Sequence, residues 1–504
     1  MKEKIKNNLN YIIFVMVMIL LNYMFMGSAI AAAFHKSLSI LCMNLIIIMI
    51  EIGFVILIHN KLTKWKIEST FLLISIILGI GYMIVFPVAG TPDELAHFYR
   101  AYEVSSFHVT SEYKDSYGGR ELPASLIKIF EDQDIFNIKY KDELGALRIK
   151  LNKNEKTFIE FSSSALYSPI CYLPQSIGIG IGRILNLPPT IIFYLGRITN
   201  FICFIIMMYF AIKYIPIRKT TTLVLATLPI VFQAAISLSP DALTIATAFS
   251  LVSFTLYMKY EKKKLLDQKD YVIMILLSIL MSMLKIVYIP ICFVLLLIPK
   301  EKFKSTKDKY MKLTLLFIFI IILNLGWLAY SSRFLIETNP GVNSKEQIQF
   351  ILTSPIAYCK VLFNTISNYY HLYLITGLGG SLGWLRIVLN EFYVFLYFMM
   401  IVFMTITEQS SKKLKQIEKC WIGILIIGVI LLIFTSLYVQ WNPVMQEMIL
   451  GVQGRYFIPI ALLAVLLVEN KVKYQLDNQL KYILTFIAFF NIYATVVCFC
   501  YHLV

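Results

Sequence analysis

Charge is what this sequence has least of. Asp, Glu, Lys and Arg make up 15% of its 504 residues, against about 25% in an ordinary soluble domain. With 58% of the residues hydrophobic, a soluble enzyme is excluded. Cysteine is sparse too. The eight cysteines follow no zinc or redox spacing. Six fall in apolar blocks; only Cys171 and Cys359 fall in segments expected outside, where a disulfide between them stays open. No internal repeat is visible, which counts mildly against the inverted repeats of secondary transporters. Acidic residues are outnumbered, 30 to 46, for a net charge of +16. Such a charge can signal nucleic acid, but its distribution argues otherwise.

What fills the chain is a series of long apolar runs. Blocks such as 11–33 and 39–58 have the roughly 20 residues that cross a bilayer core. The first is too long for a cleaved leader, and a second follows at once. Helices are expected at 11–33, 38–58, 69–88, 190–212, 220–238, 241–258, 271–284, 286–299, 312–330, 390–407, 420–438, 456–469 and 482–502. The fold class is therefore an all-α integral membrane protein with about 13 transmembrane helices. Basic residues cluster between the blocks, at Lys61–Lys66, Lys213–Lys219, Lys259–Lys269, Lys300–Lys312, Lys412–Lys419 and Lys471–Lys481. Together with Lys2, Lys4 and Lys6 they hold 27 of the 46 Lys and Arg residues. That bias sets the N-terminus in the cytoplasm and the C-terminus outside. Anionic lipid headgroups explain the basic excess without nucleic acid. Two long extracytoplasmic loops result, 89–189 and 331–389. Segment 271–299 reads as a hairpin of short helices turning near Lys285. Segment 170–185 reads as a helix at the outer interface, and 355–375 as a partly apolar helix whose crossing stays open.

Four short stretches carry polar residues where the apolar pattern breaks. In Thr91-Pro92-Asp93-Glu94-Leu95-Ala96-His97-Phe98-Tyr99-Arg100, Pro92 marks a helix start, and Thr91 with Glu94 reads as a capping box. On a helix starting there, Asp93, His97 and Arg100 share one face; the alternative for Asp93 is simple compensation of the helix dipole. Ser239-Pro240-Asp241-Ala242 repeats the same grammar. Lys285 sits within an apolar hairpin, where it either snorkels or binds phosphate. Gly451-Val452-Gln453-Gly454-Arg455-Tyr456-Phe457 opens a helix from outside, and Arg455 is one of only two basic residues in the short outer turns. Its guanidinium either anchors at the interface or binds a phosphate. Arg197, Asn200 and Gln233 read as packing groups. Trp384 and Tyr373, near Gly-rich GLGGSLGW, either anchor at the interface or stack on a sugar.

Taken in order, PDELAHFYRA (92–101), YSPICYLP (167–174), SPDA (239–242), KIVYIP (285–290), GSLGW (380–384) and QGRYFIP (453–459) resemble an uncharacterised family of bacterial polytopic membrane proteins. The resemblance spans about 69–469 and leaves 1–60 as a two-helix extension ahead of a domain at 61–504. That family is similar to the GT-C glycosyltransferases, which take a sugar from a polyprenyl-phosphate carrier on the non-cytoplasmic face. The resemblance implies an acidic residue at the start of the first outer loop, the place of Asp93 and Glu94, as catalytic group. His97, Arg100, Asp241, Lys285, Trp384, Gln453, Arg455 and Tyr456 are then substrate-binding candidates. The expected partners are a polyprenyl-phosphate-linked sugar, a surface glycan or teichoic-acid-like acceptor and membrane lipids. No metal ligand set is present, no cofactor is certain, and a divalent cation stays open. The rival expectations are a flippase or transporter of lipid-linked glycans, a polymerase or ligase, and a non-catalytic scaffold.

Overall fold

The computed structural model describes residues 2–130, 134, 136–335, 339–469 and 479–504. Among these, eight helices are long and apolar enough to cross a bilayer: Leu9–Ala33, Ser37–Lys64, Ile67–Val85, Pro189–Tyr214, Asp241–Tyr260, Thr306–Phe334, Gln416–Trp441 and Gln479–Leu503. A ninth exists if the pair Ser344–Thr353 and Pro355–Gly377, bent by 107°, counts as one span. The chain is thus an all-α multi-pass membrane protein. Leucine, isoleucine and phenylalanine side chains stay exposed along the outer helices (Leu20, Leu45 and Ile322 among them), because lipid tails are as apolar as they are. The helices Asp241–Tyr260 and Gln479–Leu503 are instead mostly buried, at the centre of the bundle.

The eight spans match eight of the thirteen expected helices. The other five are shorter or broken. Segment 220–238 forms two helices, Lys219–Ala226 and Pro229–Ala235. Pro229 lacks the N–H that would continue the ladder, so it starts a new helix. Segment 271–299 turns at Lys285 as expected, but only its first arm, Gln268–Leu284, is α-helical. The second, Ile286–Leu297, is a 3-10 helix with Pro290 inside. Segments 390–407 and 456–469 give helices of 17 and 10 residues, Glu391–Thr407 and Ile458–Leu467. The interfacial segment forms Leu173–Ile184, 12 residues and so roughly 18 Å long, too short to span. Its exposed Leu173, Ile177, Ile181 and Ile184 form an apolar stripe along one face.

The two ends of the bundle differ. At one end the basic clusters meet acidic partners from other parts of the chain: Lys219 with Glu68 at 3.4 Å, Lys419 with Glu469 at 2.7 Å, Lys259 with Glu418 and Lys412 with Glu261. Lys471 and Lys473 lie outside the described residues. At the other end sits loop 89–189, and the C-terminus joins it: Lys139 Nζ donates to the Tyr501 carbonyl at 2.7 Å. This loop holds an antiparallel sheet that hydrophobic patterning did not announce, Glu112–Lys114, Tyr117–Pro123 and Lys156–Glu160 in that order. All eight cysteines are free, with Cys171 buried and Cys359 exposed, so the bridge weighed above is not formed.

Candidate functional site

The polypeptide leaves the span Ile67–Val85 through a turn with two left-handed non-glycine residues, Ala89 (φ 62°) and Asp93 (φ 61°). Each such residue stores on the order of 1–2 kcal/mol of strain, which surrounding structure must hold. The helix starts at Glu94, one residue later than expected, and Asp93 makes no capping bond. The capping box is therefore absent. Thr91 Oγ1 is buried without a partner among the described residues. Glu94 turns inward instead and forms a fork with Arg197: Nε to Oε1 at 2.8 Å and Nη2 to Oε2 at 2.7 Å. The Leu238 amide donates to the same carboxylate at 3.1 Å. Arg197 also donates to the carbonyls of Phe86 and Pro87 at 2.7 and 2.8 Å. Both side chains are fully buried. This pair ties the Asp93 turn to the helix Pro189–Tyr214 and to the residues before Asp241.

Asp93 points the other way and is more than half exposed. Its carboxylate lies 3.6 Å from Arg455, and Arg455 lies 3.8 Å from Asp241. Asp241 opens its helix, its amide bonded to Ser239 Oγ at 3.2 Å, and its carboxylate takes Lys285 Nζ at 2.5 Å. Residues from four separate stretches thus converge. Lys285 also faces the rings of Tyr167 and Tyr456 at 5.7 and 5.6 Å. His97 joins the group from the loop helix, its Nδ1 sharing a 2.8 Å hydrogen bond with Tyr172 Oη. Burial pushes the His97 imidazole down to about 4, against the pull of Asp93 and Asp241. The same burial holds the Tyr172 phenol well above its usual value.

Arg455 is the least satisfied member. Its contacts to both carboxylates exceed hydrogen-bond length, and its Nε is buried with no partner among the described residues. Burial works against its charge, but Tyr456, Asp241 and Asp93 outweigh it and keep the guanidinium above its usual value. The guanidinium is only partly buried, so its spare donor is open to an anion. Gly454 fixes its position. A Cβ there would meet the Tyr373 carbonyl at 2.0 Å and the Gly377 amide nitrogen at 2.2 Å, so only glycine lets this loop rest on the end of helix Pro355–Gly377.

Beside this cluster lies a cavity of about 240 Å³. Lys285, Tyr167, Ser168 and Tyr456 line one part; Leu328, Ile433 and Leu437, from the spans Thr306–Phe334 and Gln416–Trp441, line another. Its polar part abuts the charges and its apolar part lies between two membrane helices.

Not every candidate converges. Arg100 is buried and paired with Glu103, donating also to the Val109 carbonyl at 2.9 Å. Glu103 further holds Arg120 of the middle strand at 2.6 Å, so Arg100 locks the small sheet to its helix and shares no face with Asp93. Trp384 donates to the Ala89 carbonyl at 3.3 Å; it braces the Asp93 turn. Tyr373 packs on Phe434 and Phe457 at 5.7 and 5.9 Å. Gln453 lies beside Arg455 in a small crevice. Gln233 accepts from the Gly383 amide at 2.7 Å, and Asn200 donates to the Ser237 carbonyl at 2.7 Å, both packing roles. Tyr167, Tyr172 and Gly454 were not singled out from sequence, although all three stand inside the ordered motifs. Among the described residues no group of three or more His, Cys, Asp and Glu is placed to hold a metal ion.

No curated protein matches this chain, and no solved structure does. The profile of one family, described as predicted membrane protein (DUF2142), matches residues 76–464. That stretch contains Asp93, Asp241, Lys285 and Arg455, the four side chains that meet beside the cavity, and excludes the first two helices. The chain belongs to this family of predicted membrane proteins.

Proposed function

We propose that this protein is a membrane glycosyltransferase of GT-C type, moving a sugar from a polyprenyl-phosphate donor to a surface glycan or teichoic-acid-like acceptor. The observation that carries the reading is the cavity: polar and cationic at Lys285, the end of the charge chain that runs through Asp241 and Arg455 to Asp93, and apolar between two spans. Such a space suits a lipid with a phosphate head. The lipid would lie against Leu328, Ile433 and Leu437, and its phosphate would meet Lys285, with Arg455 behind it, 3.8 Å from the Asp241 carboxylate that Lys285 contacts. Asp93, exposed and 3.6 Å from Arg455, would take the proton of an acceptor hydroxyl as its oxygen attacks the anomeric carbon. The bond from that carbon to the phosphate oxygen breaks, and the electron pair leaves on the lipid phosphate. Lys285 and Arg455 stabilise the charge that develops there. With one base and no covalent intermediate, the anomeric carbon inverts. Glu94 acts through position, since Arg197 and the Leu238 amide occupy its oxygens.

The charge cluster stands at one end of the bundle, opposite the paired basic clusters. This favours work at a single face, with the N-terminus cytoplasmic and the site outside; transport would call for charges near the midplane. The test is the surface glycan of cells carrying wild type or Asp93→Asn. We expect a sugar to be lost from the glycan, with transfer slowed about 10²–10⁴-fold. An unchanged glycan with normally inserted protein overturns the reading.

A further inference from the structure

The charge cluster opens onto a second, much smaller space. Pro92, Gln233, Ser381, Gly383, Gln453 and Arg455 enclose a crevice of about 10 Å³. That volume is about the size of one water, the size of a single hydroxyl. Arg455 lines this crevice while the next residue, Tyr456, lines the large cavity. Consecutive residues therefore border two different spaces, and Asp93 follows Pro92 in the chain and lies 3.6 Å from Arg455.

Above the crevice stands a two-stranded hairpin, Ser381–Leu382 with Ile387–Val388. Gly379, at φ +87°, lets it seat on the next layer, since a Cβ there would meet the Ile230 amide nitrogen at 2.8 Å. Its tip carries Trp384, Leu385 and Arg386. Leu385 is held at φ 63°, a conformation a branched side chain avoids. Trp384 is half-buried and fixed by its bond to Ala89, with Phe136 edge-on at 4.8 Å. Leu385, Arg386 and Phe136 are exposed. An aromatic ring locked in place, beside an exposed guanidinium and a strained tip, has the make-up of a surface for a sugar: the ring takes the C–H face and the guanidinium the hydroxyls.

We propose that an oligosaccharide acceptor docks on the hairpin tip at Trp384 and Arg386 and passes one hydroxyl into the crevice between Pro92 and Arg455. This rests on the transferase reading for its direction of transfer. Donor and acceptor would then reach the cluster from separate spaces, as attack opposite a departing phosphate demands.

The full-length protein in lipid nanodiscs, titrated calorimetrically with a panel of bacterial wall oligosaccharides, neutral and phosphate-bearing, tests this. We expect Trp384→Ala to weaken binding at least tenfold, Trp384→Phe to recover most of it, and exposed Arg386→Ala to weaken it about threefold. Arg386→Ala carries the test if Trp384→Ala fails to insert. Equal binding by wild type and these variants, or no panel member bound by wild type, overturns the assignment. An inactive protein that still binds at Trp384 would sink the transferase reading and keep this site; an active one indifferent to Trp384 would do the reverse.

Discussion

Asp93 and Glu94 are neighbours in the chain and belong to two different charge clusters. Glu94 is fully buried, and its oxygens take the Arg197 fork and the Leu238 amide. Asp93 is exposed, and its one cationic neighbour, Arg455, stands at 3.6 Å with a donor to spare. The first cluster is closed and leaves nothing for a ligand. The second is open, and borders a cavity. The difference teaches that a buried, fully paired charge couple holds the fold together, while incompletely paired charges leave donors and acceptors open to a ligand.

The largest effect that would sharpen this contrast is on the closed cluster. Glu94→Ala leaves Arg197 buried and uncompensated, and should destabilise the protein by about 3–5 kcal/mol. Thermal unfolding in detergent would read it; a stability close to wild type would break the comparison. Asp93→Asn should instead change stability by no more than about 0.5 kcal/mol, as for an exposed side chain, while slowing transfer about 10²–10⁴-fold. Next comes Gly454→Ala. The added Cβ forces the loop off helix Pro355–Gly377 and displaces Arg455. Transfer should fall by roughly 10²-fold, in line with the loss of one charge-stabilising donor. Wild-type transfer by an inserted variant would show that Arg455 placement does not matter.

A smaller effect concerns pH. The unfolded chain takes up a proton on His97 near 6.5, whereas the folded one resists until about 4. The folded pKa is depressed, so the stability this contributes is complete above 6.5 and lost as pH falls towards 4. Asp93, Asp241, Lys285 and Arg455 all act on the ring. His97→Gln should flatten the stability curve between pH 6.5 and 4, by at most about 1.4 kcal/mol per pH unit; an unchanged slope would place the ring in water. The smallest effect is Thr91→Val. Replacing an orphaned hydroxyl with a methyl group should be neutral or stabilising by up to about 1 kcal/mol, and clear destabilisation would reveal a missed partner.

Much of the architecture could be read from residue order alone. Eight spans stand where the apolar blocks predicted them, the turn near Lys285 is real, and the short interfacial helix is too short to cross. Pro229 and Pro290 defeated two helices, because a missing N–H interrupts the ladder however apolar the run. The sheet at 112–160 escaped notice, since its strands are short and their burial does not alternate cleanly. In the site, motif order pointed to Asp93, Asp241, Lys285 and Arg455 without saying that they touch. Arg100 looked like their neighbour because Asp93 was assumed helical. The left-handed turn at Asp93 rotated the two apart, and Glu103 claimed the guanidinium.

Sequence by itself determined that the chain lives in a membrane, with its basic clusters separated from its polar motifs. Hydropathy and charge act over 20-residue lengths and need no partner to be felt. Only the tertiary structure decided which of two adjacent carboxylates is free. That choice depends on where Arg197 and Arg455 arrive, from about 100 and 360 residues away along the chain, and on backbone dihedrals that packing imposes against local preference.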